Sequence, residues 1–175
     1  MIYGTKVRLR AIERDDIPRF VKWFNDPDVR EHLSVYRPLS HAQEEKWFER
    51  QAELDPADHV FAIETADGVH IGNAGLHGIN WKDRSAEFGI VVGDKEYWSQ
   101  GYGTDATLTL MGYAFGELNL HRVQLRVDAD NPRAIRCYEK AGFRHEGIMR
   151  DAVFSGGRYK DQHFMSILQP EFKAA

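Results

Sequence analysis

The sequence predicts one α/β domain over residues 1–175, with a mixed central sheet, flanking helices and the order β-α-α-β-β-β-α-β-α-β-β. Three observations predict it. Short apolar runs of strand length are interleaved with longer patterns of helical period. A chain of 175 residues falls in the range of a single domain and can bury roughly 70% of its unfolded surface. A hydrophobic share of 42% beside a charged share of 29%, without repeat, linker or low-complexity segment, is the composition of a folded chain.

The elements follow in order. Residues 7–11 alternate apolar and basic as a half-buried strand does, and Asp15 and Asp16 precede a helix through Ile17, Phe20, Val21 and Phe24. Ser40 followed by Gln43 is a capping box for a second helix carrying Ala42, Trp47, Phe48 and Leu54, beside a polar strip of Glu44, Glu45, Glu49 and Glu53. Residues 60–64, 69–76 and 86–92 read as three strands, the first two joined as a hairpin at Asp67-Gly68. Residues 104–118 carry a Leu-, Ala- and Met-rich helical pattern, and 122–127 alternate as a strand, which suggests a crossover. Asn131-Pro132 opens a short helix that Gly142 closes. Strands 146–154 and 159–168, joined at Gly156-Gly157, end the chain.

A net charge of −4 argues against a nucleic-acid surface. The one cysteine, Cys137, cannot form an internal disulfide, residues 1–6 lack the apolar stretch of a secretory signal, and no run of about 18 apolar residues could span a bilayer. A reducing, cytoplasmic setting is therefore expected. A homo-oligomer is compatible with the sequence.

The segment from Tyr97 to Ala106, YWSQGYGTDA, lies between a strand and a helix. Glycines at 101 and 103 let backbone approach a phosphate closely, and free N–H groups at a helix start, with the positive end of its dipole, bind phosphate oxygens. Alone, such a turn is as often only a turn. It also satisfies Gly-x-Gly-x-x-Ala, yet a dinucleotide fingerprint follows the first strand and needs a strand-end acid about 20 residues on, and neither holds here. Walker-type and Gly-x-Ser-x-Gly motifs are absent.

Glu87-Phe88-Gly89-Ile90, the turn 98–106, Asn119-Leu120-His121-Arg122, Asn131-Pro132-Arg133-Ala134-Ile135 and Tyr138 through Phe143, taken in that order, resemble the GNAT acetyltransferases over the whole chain. They are most similar to the branch of ribosomal-protein N-terminal and spermidine N-acetyltransferases. The resemblance implies a mostly antiparallel sheet with two splayed strands, and an acetyl-CoA-dependent enzyme in which a primary amine attacks directly within a ternary complex, without a metal. It places the cofactor pyrophosphate on Trp98, Ser99, Gln100, Gly101, Tyr102, Gly103 and Thr104, and the pantetheine arm along Ile90, Val91 and Val92. It also implies that Asn131 contacts the pantetheine region, that the Tyr138 hydroxyl protonates the leaving thiolate, and that Glu87 is a general base acting through water. The family pattern carries Arg or Gln where this chain has Trp98. Because backbone N–H groups make the main contacts, binding is expected to survive.

The residues also have plainer readings. Asn131 and Tyr138 are seven apart, close to two helical turns, and can face one ligand or simply cap the helix and fill the core. Glu87 points opposite Phe88 and Ile90, as a catalytic base or as a solvent-facing residue of an alternating strand. Cys137 reads as a small core residue. No two histidines lie within four residues, so metal-ligand spacing is missing; His77 and His121 read as structural or as cleft residues. Trp23, Tyr36, Trp47 and Trp81 lie where the resembled enzymes build an acceptor pocket, though most of them read as core or interface aromatics, and Glu31 with the 44–53 acids could attract a cation or form a solvated face.

A polyamine nitrogen of pKa near 10.4 is only ~0.04% neutral at pH 7, a penalty of about 4.6 kcal/mol, against about 1.1 for an α-amine near 7.8. The expected acceptor is a protein N-terminal α-amine. A spermidine-type polyamine or other small amine is the alternative, and a non-catalytic acetyl-CoA sensor or a nucleotide-dependent oxidoreductase would be answers of other classes.

Overall fold

A computed structural model describes residues 1–52 and 57–173. Among the described residues, eight strands form one sheet: β1 (Ile2–Tyr3), β2 (Val7–Arg10), β3 (His59–Thr65), β4 (His70–Asn80), β5 (Ser85–Val92), β6 (Arg122–Asp128), β7 (Arg144–Ser155) and β8 (Arg158–Leu168). Their spatial order is β1-β2-β3-β4-β5-β6-β8-β7, antiparallel throughout except for β5 beside β6. The helices are α1 (Ile17–Asn25), α2 (Pro27–Arg30), α3 (His41–Ala52), α4 (Tyr102–Gly116) and α5 (Pro132–Lys140).

The expected order is observed with two additions. β1 is two residues long and exists through its pairing with β2, which leaves no local period to read. α2 is a single turn, capped by the Asp26 carboxylate on the Asp28 N–H and started by Pro27. The Ser40–Gln43 capping box forms as expected, with Ser40 N donating to Gln43 Oε1 at 2.9 Å and Gln43 N to Ser40 Oγ at 3.3 Å. Glu53 and Leu54 lie outside the described residues.

Two apolar clusters form on opposite faces of the sheet, because successive residues of β5 point to opposite sides: Ile90 joins the first and Val91 the second. The first is the main core, where Ala106, Leu110, Met111, Ala114 and Phe115 of α4 meet the strands. The second holds Phe20, Trp23 and Val29, with Trp47 of α3 edge-on to Phe20 at 5.8 Å. Gly93 sits so close to the Trp23 ring that a Cβ would come within 2.1 Å of it. Glu44 departs from the expected solvated strip. It lies on the inward side of α3, 7% exposed, and burial pushes its carboxyl above the usual range.

Two polar ties fix α1 and α4 to the sheet. Asp105, in the first turn of α4, accepts the N–H groups of Thr5, Lys6 and Val7 at 3.2, 2.7 and 2.9 Å. Asp16, before α1, takes both Arg10 Nη atoms at 2.7 and 2.8 Å and the Glu13 N–H at 2.8 Å. His70 Nδ1 lies 2.9 Å from Asp16 Oδ1, the oxygen that also accepts from Arg10 Nη2. Burial alone would raise the Asp16 carboxyl, but Arg10, His70 and the Glu13 amide outweigh it and hold the group far below the usual carboxylate range.

Asp16→Asn is expected to cost about 3 kcal/mol at pH 7, because it leaves the partly buried Arg10 short of a charge partner. The folded carboxyl lies below its unfolded value near 3.9, so its contribution is complete above that pH and is lost as pH falls below it. Denaturation midpoints taken from pH 7 to pH 2 should converge for the variant and the parent; parallel curves would place the acid sensitivity elsewhere.

Candidate active site

β5 and β6 pair at Ser85↔Arg122, Ala86↔Val123 and Glu87↔Gln124, and then part. Beyond Glu87 the facing edge of β5 has no strand beside it, and a cleft of about 490 Å³ opens there. This is the carboxyl end of a parallel pair, where α/β sheets place ligands.

One wall is β5 itself, through Ile90, Val91 and Val92. A second is the turn into α4. Ser99 and Gly101 adopt left-handed φ values of 60° and 87°, and the first helical bond runs from Asp105 N to Gly101 O. Among the described residues, the N–H groups of Ser99, Gln100, Gly101, Tyr102, Gly103 and Thr104 find no partner. A row of donors at a helix N-terminus is an arrangement of backbone that can cradle an anion.

The side chains of the turn divide. Trp98, Ser99, Gly101, Gly103 and Thr104 line the cleft. Gln100 turns back to the Glu96 carbonyl, and Tyr102 packs on Tyr97 at 5.2 Å with the Lys6 ammonium over its ring, so these two offer only backbone. The Trp98 side chain has a defined place: its Nε1 donates to Val92 O at 2.6 Å, tying the turn to the end of β5. Its ring carries the Arg133 guanidinium 3.9 Å from the centroid.

α5 forms the third wall. Asn131 caps it through Oδ1 on the Ala134 N–H at 3.1 Å, Pro132 occupies its first position, and Asn131, Ala134, Cys137 and Tyr138 all reach the cleft. Asn131 thus caps the helix and Tyr138 is packed, as the plainer reading has it, and both also border the cavity. The Tyr138 ring meets Phe88 at right angles, 6.0 Å away, and burial raises the phenol well above its ordinary value. Cys137 is a packed residue as expected. Thr104 Oγ1 lies 3.5 Å from its sulfur, and burial pushes the thiol up, away from a reactive thiolate.

Glu87 opens onto the cleft and is held there by Arg126, whose Nη2 and Nε reach its Oε1 at 2.8 and 3.1 Å. At the end of β6, Asp128 accepts from Gln162 Nε2 at 3.0 Å and lies 3.1 Å from His32 Nδ1. His32, Asp128 and Asp130 stand close enough to hold a cation, but the buried Lys160 ammonium, 3.1 Å from Asp130 and 3.9 Å from Asp128, and Arg158, 2.9 Å from Asp130, already face the two carboxylates.

The four aromatics of the N-terminal half follow the plainer reading. Trp23 and Trp47 are in the second cluster, Tyr36 and Trp81 are exposed, and none of them borders the cleft. His77 lies under Gly75 and near Asp58, and His121 sits at the start of β6; both are structural. Glu31, Glu45 and Glu49 do not line the cleft; its carboxylates are Asp28, Glu87 and Asp128. Sequence reasoning missed Asp128, Arg126, His32 and Gln162, together with Arg133, Arg136 and Lys140 of α5. A strand-end acid at 128 and basic residues at i, i+3 and i+7 were available as signals; His32 and Gln162 carried none.

Residues 6–144 match the family model described as an acetyltransferase (GNAT) domain. Spermidine N(1)-acetyltransferase of Vibrio cholerae is 34% identical over 97% of this chain and 96% of its own length, and that of Escherichia coli 33% over 96% and 89%. The crystal structure of the Vibrio cholerae spermidine N-acetyltransferase in complex with CoA and spermine superposes with a TM-score of 0.88, at 32% identity, covering 96% of this chain and 98% of that one.

The two glycines of the turn should behave differently. Ala at 101 would be forced into the left-handed region, at about 1–2 kcal/mol. Ala at 103 meets Cys137 and Val92 only at 3.7 and 3.8 Å, ordinary contact, and should be neutral or stabilising by up to about 1 kcal/mol. Chemical denaturation of both variants tests this, and equal losses would contradict it.

Proposed function

Since this chain belongs to the GNAT acetyltransferase family, we propose that it transfers the acetyl group of acetyl-CoA, by direct attack in a ternary complex, to a primary amine of a spermidine-type polyamine. It is an acetyl-CoA-dependent N-acetyltransferase; the acceptor and the residue roles are the proposal. What supports the acceptor in the site is a pair of carboxylates on the cleft, Glu87 on β5 and Asp128 on β6, each now facing a cation of the protein, Arg126 or Lys160, whose place an ammonium group of a polyamine could share. The spermidine acetyltransferases similar to it over nearly the full chain favour the same acceptor. The expected protein N-terminal amine loses ground accordingly, because an α-amine is mostly neutral near pH 8 and gains little from flanking carboxylates.

The residues fit the co-substrate. The free N–H groups of 99–104 suit its pyrophosphate, and the open edge of β5 beyond Glu87, with Asn131 opposite, suits the amide-bearing arm. Bound there, acetyl-CoA supplies a thioester carbonyl and a thiolate leaving group. Glu87, oriented by Arg126, receives the amine proton through water as nitrogen attacks. Tyr138 stays protonated at neutral pH because burial raises it. A phenol above 10 is a weaker acid than a thiol near 8.5, so complete proton transfer to sulfur is uphill. The hydroxyl therefore acts as an O–H donor to sulfur as negative charge develops there.

Tyr138→Phe should lower kcat by about 10²-fold with little change in affinity for coenzyme A. An unchanged kcat would remove Tyr138 from the reaction. For Glu87→Gln, the acidic limb of kcat/KM against pH should flatten, and an unaltered limb would leave Glu87 a surface residue. Thiol release with a panel of amines should favour spermidine over an N-terminal peptide by at least about tenfold in kcat/KM; the reverse order would restore the peptide acceptor.

A further inference from the structure

The cleft holds a second anion-binding feature besides the backbone cradle. Arg133, Arg136 and Lys140 fall at i, i+3 and i+7 on α5, on one side of that helix, and all three border the cleft. Among the described residues no carboxylate lies within ion-pair distance of any of them. This contrasts with Arg126, which answers Glu87, and Lys160, which answers Asp130. Arg133 is also not free to roam. Its guanidinium lies over the Trp98 ring at 3.9 Å, and Trp98 is itself fixed by the bond from Nε1 to Val92 O at 2.6 Å. A cation docked on a braced aromatic has already lost much of the rotamer freedom it would lose on binding.

Coenzyme A carries two anionic groups, a pyrophosphate and a 3′-phosphomonoester on its ribose. The backbone donors of 99–104 account for the pyrophosphate and need no side-chain cation. We propose that Arg133, presented by Trp98 and flanked by Arg136 and Lys140, binds the 3′-phosphate and makes the enzyme select coenzyme A over its 3′-dephospho form. A planar guanidinium offers two parallel N–H donors to a phosphate with three acceptor oxygens and a charge between −1.5 and −2, the geometry in which arginine outperforms lysine. The inference rests on the reading of this cleft as a coenzyme A site.

Isothermal calorimetry of the purified enzyme with coenzyme A and with 3′-dephospho-coenzyme A separates the two ideas. The parent should bind coenzyme A at least tenfold more tightly. Arg133→Ala, a change at an exposed position, should bring that ratio to about threefold or less while leaving the affinity for the dephospho form within about twofold. Arg133→Lys should recover only part of the preference. A parent without preference, an unchanged ratio in Arg133→Ala, or equal losses for both ligands would overturn the assignment. The last of these would move Arg133 to the pyrophosphate. Absence of heat with either ligand would instead sink the coenzyme A reading itself.

Discussion

The structure turns on the short partnership of β5 and β6. Two parallel strands that stay together for three residue pairs and then diverge leave a length of backbone with hydrogen-bonding groups and no neighbouring strand. In a folded protein such groups must find partners, and in the cleft they face solvent or an extended ligand with amides of its own. Everything else in the site is arranged around that gap: the turn into α4 closes one end, α5 leans over it, and the last residues of β6 supply the far side.

Keeping the gap open requires rigidity around it, and polar ties supply much of that. Asp105 belongs to the first turn of α4, yet its carboxylate gathers three N–H groups from the N-terminal strand region, so the helix whose start forms the anion cradle is pinned from behind. Trp98 does the same in front by gripping the end of β5. The cradle is therefore held at both ends while its own donors stay free. This is preorganisation of the kind that lowers the entropy lost when a flexible ligand binds.

Most of the fold was legible because its signals are local. The strands of the sheet's centre alternate, α4 is apolar along its length, and Ser40, Asn131 and Pro132 mark helix starts. β1 and α2 were hidden because one is made by pairing and the other is a single turn. The cradle and α5 could be read for the same reason as the helices, since their residues are contiguous. The side of the cleft around the end of β6 could not. Asp128, His32 and Gln162 come from three separate parts of the chain, and only the sheet order brings them together. Glu44 illustrates the opposite error, a charge that looks solvated in a helical pattern yet turns inward because α3 packs on α1.

β7 is the outermost strand, exposed along nearly its whole length and interrupted by irregular pairing between Met149 and Val153, yet Met149, Ala152 and Val153 help to enclose the cleft. The rim of the cleft that β7 supplies is thus among the parts of the molecule least committed to the interior. Side chains there are able to change without opening voids or stranding buried charges, whereas the opposite walls of the cleft are locked into α4 and the central strands. Under the proposed function, such a division would let one scaffold be retailored to new acceptors by drift along its rim while the turn into α4 stays constant.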